Sequence, residues 1–484
     1  MRTPFFAAAL LTTADLLPLR AQVTQQLRPF VKEDAHAIVL NHVRVIDGTG
    51  AAPLEDARLE IRDGRIVSVQ PAGSAGAPSS DAKVLDAAGK TVIPGLVGMH
   101  EHIFYPVPAG GAGRLALYGE MADSAPRLYL GSGVTSARTA GSMEPYADLS
   151  LKKLIDSGQA PGPKMHVTGP YIGSLLPALV QMHTLTGPDD AARLVDYWAA
   201  EGATSFKAYM VITPEELKAA IDHAHSHNLK ITGHLCSVGF TEAADMGIDN
   251  LEHGLIVDSE FFPGKKPGVC PGQSVYLADM AKNLDVGSPK VQAMIRNLVA
   301  HHVAVTSTLA VFEISVPNRP PVATLTRIRA ALTDKAWAEY LAGRARVSER
   351  TAQFDFNALF HKELQFERDF VKAGGLLMAG CDPTGYGGVL PGFGDQRELE
   401  LLVEAGFTPV EAVHIATENG AKFLGEDAQI GTIATGKAAD LVLIDGNPLA
   451  NMSDVEKVNT VFKDGIGYDP DRLIDSVHGL MGLR

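Results

Sequence analysis

The tripeptide His100-Glu101-His102 closes the apolar run Val92-Ile93-Pro94-Gly95-Leu96-Val97-Gly98-Met99. Side chains at i and i+2 of a strand share a face, so both imidazoles can reach one cation while Glu101 points the other way and is read as structural. Two histidines at a strand end would look the same, so the pair needs company. Lys207, His234, His253 and Asp382 supply it, each at or just past the end of a β-rich run. Singly, Lys207 reads as a core-edge lysine and His253 as a satisfied buried histidine. Jointly they point to a metal site, and a set of imidazoles and carboxylates suits zinc without excluding manganese, cobalt or iron.

Other reactive side chains stand around this set. Tyr209, two residues past Lys207, shares its strand face and can donate to a tetrahedral oxyanion, or simply pack at the mouth of the fold. His183 falls in the long segment after the third strand, a candidate catalytic residue if that segment brings it to the substrate or the oxyanion. His223, His225 and His227 sit at the polar end of a helical stretch, where residues two apart do not face each other, so a solvated face is expected. Cys236, Cys270 and Cys381 form no C-x-x-C pair and suggest neither a disulfide framework nor a zinc knuckle. A substrate carboxylate would want a cation, with Arg138 or Arg397 as the options.

The elements that must hold these residues alternate between β-rich runs and helical patterns from about 93 to 425. Eight strands are expected, at 92–99, 134–138, 164–168, 205–209, 230–233, 250–252, 303–308 and 376–379. Helical stretches at 214–227 and 409–423 lie between or after them, and Thr213-Pro214-Glu215-Glu216 is a good helix start. Eight such units predict an α/β fold of the closed (β/α)8 kind, with chemistry at the C-terminal strand ends. Short strands near both ends, with Asp63-Gly64 as a hairpin turn, predict a small β domain made from residues 23–92 and 426–484, interrupted by the barrel at 93–425.

Composition narrows the class. The 484 residues are 46% apolar and 20% charged, ordinary for a globular protein. Forty-two basic against 56 acidic residues give −14 with no dense basic run, so nucleic acid is not an expected partner. Residues 1–22, with Arg2 ahead of an apolar stretch, have the form of a secretory signal, although Asp15 interrupts it; a periplasmic or secreted protein is expected, with a cytoplasmic one as the alternative. No later stretch has the roughly 20 apolar residues of a membrane helix.

The segments Pro94–His102, Ser205-Phe206-Lys207-Ala208-Tyr209-Met210, Gly233-His234, Leu251-Glu252-His253-Gly254, Gly380-Cys381-Asp382 and Gly431–Val442 together resemble the metal-dependent amidohydrolase superfamily over nearly the whole chain. The resemblance implies a distorted (β/α)8 TIM barrel with a β-sandwich built from both termini. It implies two divalent metal ions, one on His100, His102 and Asp382 and the other on His234 and His253, with Lys207 carboxylated as the bridge. Two cations would bring a bridging water's pKa toward neutrality, and Asp382 would take its proton and pass it to the leaving amine. The Phe-Lys, Gly-His and Glu-His-Gly pieces look most like prolidase-type dipeptidases and N-acyl amino acid hydrolases, including ochratoxin-cleaving amidases. A small-molecule amide is therefore the expected substrate, and a homo-oligomer the expected assembly. Open alternatives are a mononuclear site with unmodified Lys207, a hydantoinase-like ring opener, a lactone, ester or phosphotriester hydrolase, a metal-storage protein, and a non-catalytic scaffold, which would typically have lost ligands.

Overall fold

The computed structural model describes residues 23–107, 117–174, 181–350 and 355–483; the expected signal segment lies outside them. Two sets of strands organise the chain. Those from the termini form one nine-stranded sheet, in which Thr91–Pro94 pairs parallel with Ala37–Val45 and antiparallel with Leu441–Ile444. That pairing stitches the N-terminal half to the C-terminal half. Hydrogen bonds thus connect all nine strands where two packed sheets are expected from the sequence. Leu40, Leu59 and Ile61 from one half share an apolar cluster with Leu441, Leu443 and Phe462 from the other. The Asp63-Gly64 turn is as expected, with φ of 48° and 82° at the two positions and Arg62 opposite Arg65, the paired positive φ values of a tight hairpin.

The central region supplies the expected parallel strands in two sheets. Lys164–His166, Val134–Thr139 and Leu96–Glu101 make one. Thr168–Ile172, Ser205–Ala208, Lys230–Gly233, Asn250–Glu252, Ala304–Ser307 and Leu377–Ala379 make the other, in sequence order. The third expected strand therefore divides at Val167. The Thr168 amide donates to Thr139 Oγ1 (2.9 Å) and its hydroxyl donates to the Thr139 carbonyl, so the side chain of one strand interrupts the ladder to the next. At the other junction, Leu377–Ala379 has no ladder to Leu96–Glu101 among the described residues; the Asp382 amide donates to the His100 carbonyl at 2.9 Å.

Helices cover the parallel strands, and their local signals are plain. Pro214–Ser226 starts at a reciprocal cap, Thr213 Oγ1 accepting from the Glu216 amide while the Glu216 carboxylate accepts from the Thr213 amide. The helix expected over 409–423 is instead two, Pro409–Ala416 and Glu418–Leu424, broken at Thr417 (φ −133°, ψ −79°). The break lets the second helix lay Gly420 against Val97 and Met99. Among the described residues no helix is long and apolar enough to cross a membrane.

The junction between first and last strands depends on a missing side chain. A Cβ at Gly380 would come within 2.3 Å of the His100 backbone nitrogen, a contact that only main-chain displacement can relieve. Gly380→Ala is expected to destabilise the fold by about 1–3 kcal/mol, as overpacking does. Gly73→Ala, with nothing within 4 Å, is the control. Equal denaturant midpoints for the two variants would show that this junction is not tightly packed.

Candidate metal centre

The six proposed ligands end up at one end of the parallel strands. His100 lies within Leu96–Glu101 and His102 just beyond it, Lys207 within Ser205–Ala208, and His234 and His253 directly after Lys230–Gly233 and Asn250–Glu252. Asp382 follows Leu377–Ala379 by three residues. His253 and Asp382 have φ of 71° and 46°, the left-handed region that non-glycine residues seldom adopt. Such a turn at a strand's end is tolerated where the surroundings over-determine it, as at functional sites. His100, His102, Lys207 and His253 are almost wholly buried, and Asp382 nearly so.

Hydrogen bonds fix which imidazole nitrogen faces the centre. His100 Nδ1 lies 2.8 Å from Glu252 Oε2, His102 Nδ1 lies 3.2 Å from the Gly141 carbonyl, and His253 Nδ1 lies 2.8 Å from Thr308 Oγ1. A carboxylate and a carbonyl only accept, so Nδ1 of His100 and of His102 carries the proton, and in the neutral ring Nε2 is a bare lone pair. His102 Nε2 then faces Asp382 Oδ1 at 3.3 Å, and His100 Nε2 faces the same oxygen at 3.7 Å. His253 Nε2 is buried with no hydrogen-bond partner among the described residues. Acceptors held toward one another in a buried site are what a cation requires, and the ligand atoms of His100, His102 and Asp382 all lie within 4.8 Å of one another. Burial lowers the pKa of His102 to about 4 and that of His234 to about 3, and depresses His100 and His253 as well, so the rings are in the neutral, ligating form.

Lys207 is in the midst of these groups. Its Nζ is 3.1 Å from His100 Nε2 and 5.2 Å from the Tyr171 ring centre. Burial brings its pKa down to about 8, against the pull of Glu252 and Asp382. The His234 ring packs 4.4 Å from His253 and 5.0 Å from Tyr209, centre to centre. Burial raises the Tyr209 phenol well above its usual value, so it keeps its proton as a donor.

Several contributors have no metal-ligand signature. Glu252, inside the Leu-Glu-His-Gly segment, accepts from His100, Arg138 Nη2 (2.6 Å), Thr232 Oγ1 (2.6 Å) and Asn250 Nδ2 (3.1 Å), and so orients His100 from below. Strand alternation could have found it, since Glu252 and Asn250 share a face. Tyr171, with its hydroxyl 3.4 Å from His102 Nε2, and Phe104, stacked 4.4 Å from that ring, wall the opposite side. Glu101 does turn away: it accepts from the Cys381 amide (3.2 Å) and thiol (3.1 Å). Burial, together with nearby Asp395, pushes its carboxyl well above the ordinary range, so it holds a proton.

Other expectations are corrected. His183 is not brought to the cluster; half-exposed, it bonds Asp190 Oδ2 at 2.9 Å. Arg138 is closed in by Glu252 and the Met99 carbonyl, and Arg397 by Glu313 and Glu400, so neither is available to a substrate carboxylate. Cys236 and Cys270 form a disulfide, 34 residues apart, because the loop after His234 meets the segment before helix Gln273–Asn283; no local spacing marks such a pair. His223, His225 and His227 do lie on a solvated face, against Asp196 and Asp249.

Comparison with known proteins agrees with this geometry. The family model for amidohydrolases matches residues 91–466. No curated protein sequence matches the chain. Among solved structures, a protein from Bifidobacterium longum assigned as a prolidase is 25% identical, with a TM-score of 0.64 over 92% of this chain and 100% of that one. An Xaa-Pro dipeptidase with bound methionine is 20% identical (TM-score 0.65, 90% and 100% covered), and A. niger ochratoxinase is 19% identical (0.62, 90% and 96%). The chain belongs to the amidohydrolase family and is a hydrolase of carbon–nitrogen bonds.

Proposed function

We propose that the protein hydrolyses an acyclic amide, the class to which dipeptides, N-acyl amino acids and ochratoxin-like amides belong. The observation that carries this reading is the pair of unprotonated Nε2 atoms of His100 and His102 facing Asp382 Oδ1 at the strand ends, with the His253 ring packed against His100. In it, the two parallel sheets are arcs of one distorted (β/α)8 barrel, and the terminal sheet is its companion β domain. His100, His102 and Asp382 would hold one divalent ion, zinc by preference, and His234 and His253 a second. Lys207 would join them as a carbamate; a pKa near 8 supports this, because only the neutral amine attacks carbon dioxide. Bound metal ions supply an activated water at neutral pH and polarise the scissile carbonyl.

The chain's own groups do the rest. Asp382 orients the attacking water and accepts its proton, then delivers that proton to the departing nitrogen. Tyr209 donates to the oxygen on which negative charge develops, from a position fixed by its packing on His234. Phe104 and Tyr171 keep bulk water from the His102 side. Export is part of the proposal, supported by the Cys236–Cys270 disulfide, a bond that persists in oxidising compartments. A hydantoinase-like ring opener is the second reading.

The decisive assay is cleavage of N-acyl amino acids, Xaa-Pro and other dipeptides, and cyclic imides by metal-loaded protein, with a chelated control. Cleavage of the acyclic set alone, lost on chelation, is expected; ring opening alone would move the protein to the second reading. Lys207→Ala is expected to lose bound metal and activity together, read by metal stoichiometry and turnover, and full activity in that variant would sink the bridged site. Tyr209→Phe should lower kcat by about 100-fold with little change in KM, the loss typical of one oxyanion donor. An unchanged kcat would leave Tyr209 as packing only.

A further inference from the structure

A cavity of about 380 Å³ opens on one side of the centre, with His234, His253 and Asp382 at its inner end. That size suits a small-molecule site, for which roughly 300–1,000 Å³ is usual. Its walls are mainly hydrocarbon. Ile256 and Val257 follow His253, Leu277 comes from helix Gln273–Asn283, and Val311, Phe312 and Pro317 come from the segment after Ala304–Ser307. The polar groups that join them, on Gln273, Ser274, Tyr276, Ser315 and Thr384, are uncharged at neutral pH. Among the described residues lining the cavity there is no lysine or arginine. The two buried arginines with a claim to such a role, Arg138 and Arg397, are already engaged by Glu252, Glu313 and Glu400.

Position says which half of the substrate enters. Asp382, the group proposed above to protonate the departing nitrogen, lines this cavity, whereas His100, His102 and Lys207 do not. The leaving half of the amide therefore lies here. We infer that this half is an amine bearing an uncharged hydrophobic group, such as an arylalkylamine or an amino acid with a blocked carboxyl group, and not a free amino acid. The inference rests on the amide-hydrolase reading and narrows it to acyclic amides whose leaving amine carries no free carboxylate, so that the free-acid dipeptides and N-acyl amino acids of the assay above become its slow substrates. A carboxylate carried into these walls would lose its hydration and meet no lysine or arginine among the described lining residues, while the ions proposed above are committed to the attacking water and the scissile carbonyl. The reactants are a secondary amide and one water. The water oxygen bonds to the carbonyl carbon, the carbon–nitrogen bond breaks, and the water's proton goes to nitrogen, giving a carboxylic acid and a primary amine whose substituent is apolar.

The test uses three matched compounds, N-acyl-phenethylamine, N-acyl-phenylalaninamide and N-acyl-phenylalanine, with the metal-loaded full chain and release of the acyl group as the readout. The two neutral compounds are expected to exceed the free acid in kcat/KM by at least about tenfold. A free acid cleaved as well or better overturns the inference while upholding amide hydrolysis. If none is cleaved, the amide reading fails, and calorimetric titration of the same three decides the cavity's preference: binding of the neutral pair alone supports it, whereas equal binding or none overturns it. Leu277→Arg places a cation in the wall and is expected to shift the rate ratio toward the free acid. An unshifted ratio in that folded variant would overturn the placement of the leaving half.

Discussion

A buried carboxylate under the site ties its geometry together. Glu252 gives its oxygens to His100, Arg138, Thr232 and Asn250, so one wholly buried charge is satisfied by four donors from four strands. An ion pair taken out of water gains little net stability, but removing one partner costs about 3–5 kcal/mol because the other is left uncompensated. The Arg138–Glu252 pair therefore holds its strands in register more than it stabilises the whole. Through His100 Nδ1 it also dictates which nitrogen is free, and every statement about the centre's chemistry depends on that choice.

The strand ends carry the complementary constraint. His253 and Asp382 both take the left-handed conformation, where the chain leaves its strand and turns at the end of the sheet. The surrounding structure sustains them: the His253 amide donates to the Thr306 carbonyl, and the Asp382 amide to the His100 carbonyl. Gly380 allows that second contact by bringing the last strand against the first with no Cβ between them. Both a left-handed turn and a close main-chain approach thus occur where the proposed ligands converge.

Much of this was legible in the chain. The strand-end placement of His100, His102, Lys207, His234, His253 and Asp382 follows from period-two patterning, because the ligands come after short β-rich runs whose ends are sharply marked. Glu252 was hidden because a carboxylate within a strand reads as solvent-facing unless the other face is known to be buried. Tyr171 was hidden because the third strand divides at Val167, and the division depends on a Thr168–Thr139 contact that no propensity encodes. The disulfide joins residues 34 apart across a turn of the fold, and the spacing of its cysteines carries no signal. Thr417 breaks a helix whose sequence is continuous in its apolar period, a packing demand from Val97 and Met99 overriding local preference.

A single cause links the site's properties. Phe104, Tyr171 and Tyr209 on one side and the cavity's hydrocarbon on the other withhold water from the same few groups. Desolvation keeps the imidazoles neutral, brings the Lys207 amine to a pKa of about 8, and makes the Tyr209 phenol retain its proton. These are three different requirements, a lone pair, an amine with a lowered pKa and a hydrogen-bond donor, and one exclusion of water favours all three. The same exclusion strengthens every electrostatic contact within, since the effective dielectric falls. It also sets the cost of entry: an anionic group must find its counter-charge, and on the Asp382 side the described walls offer no lysine or arginine. In the proposed reading, the desolvation that prepares these groups is thus also the filter on what can reach them.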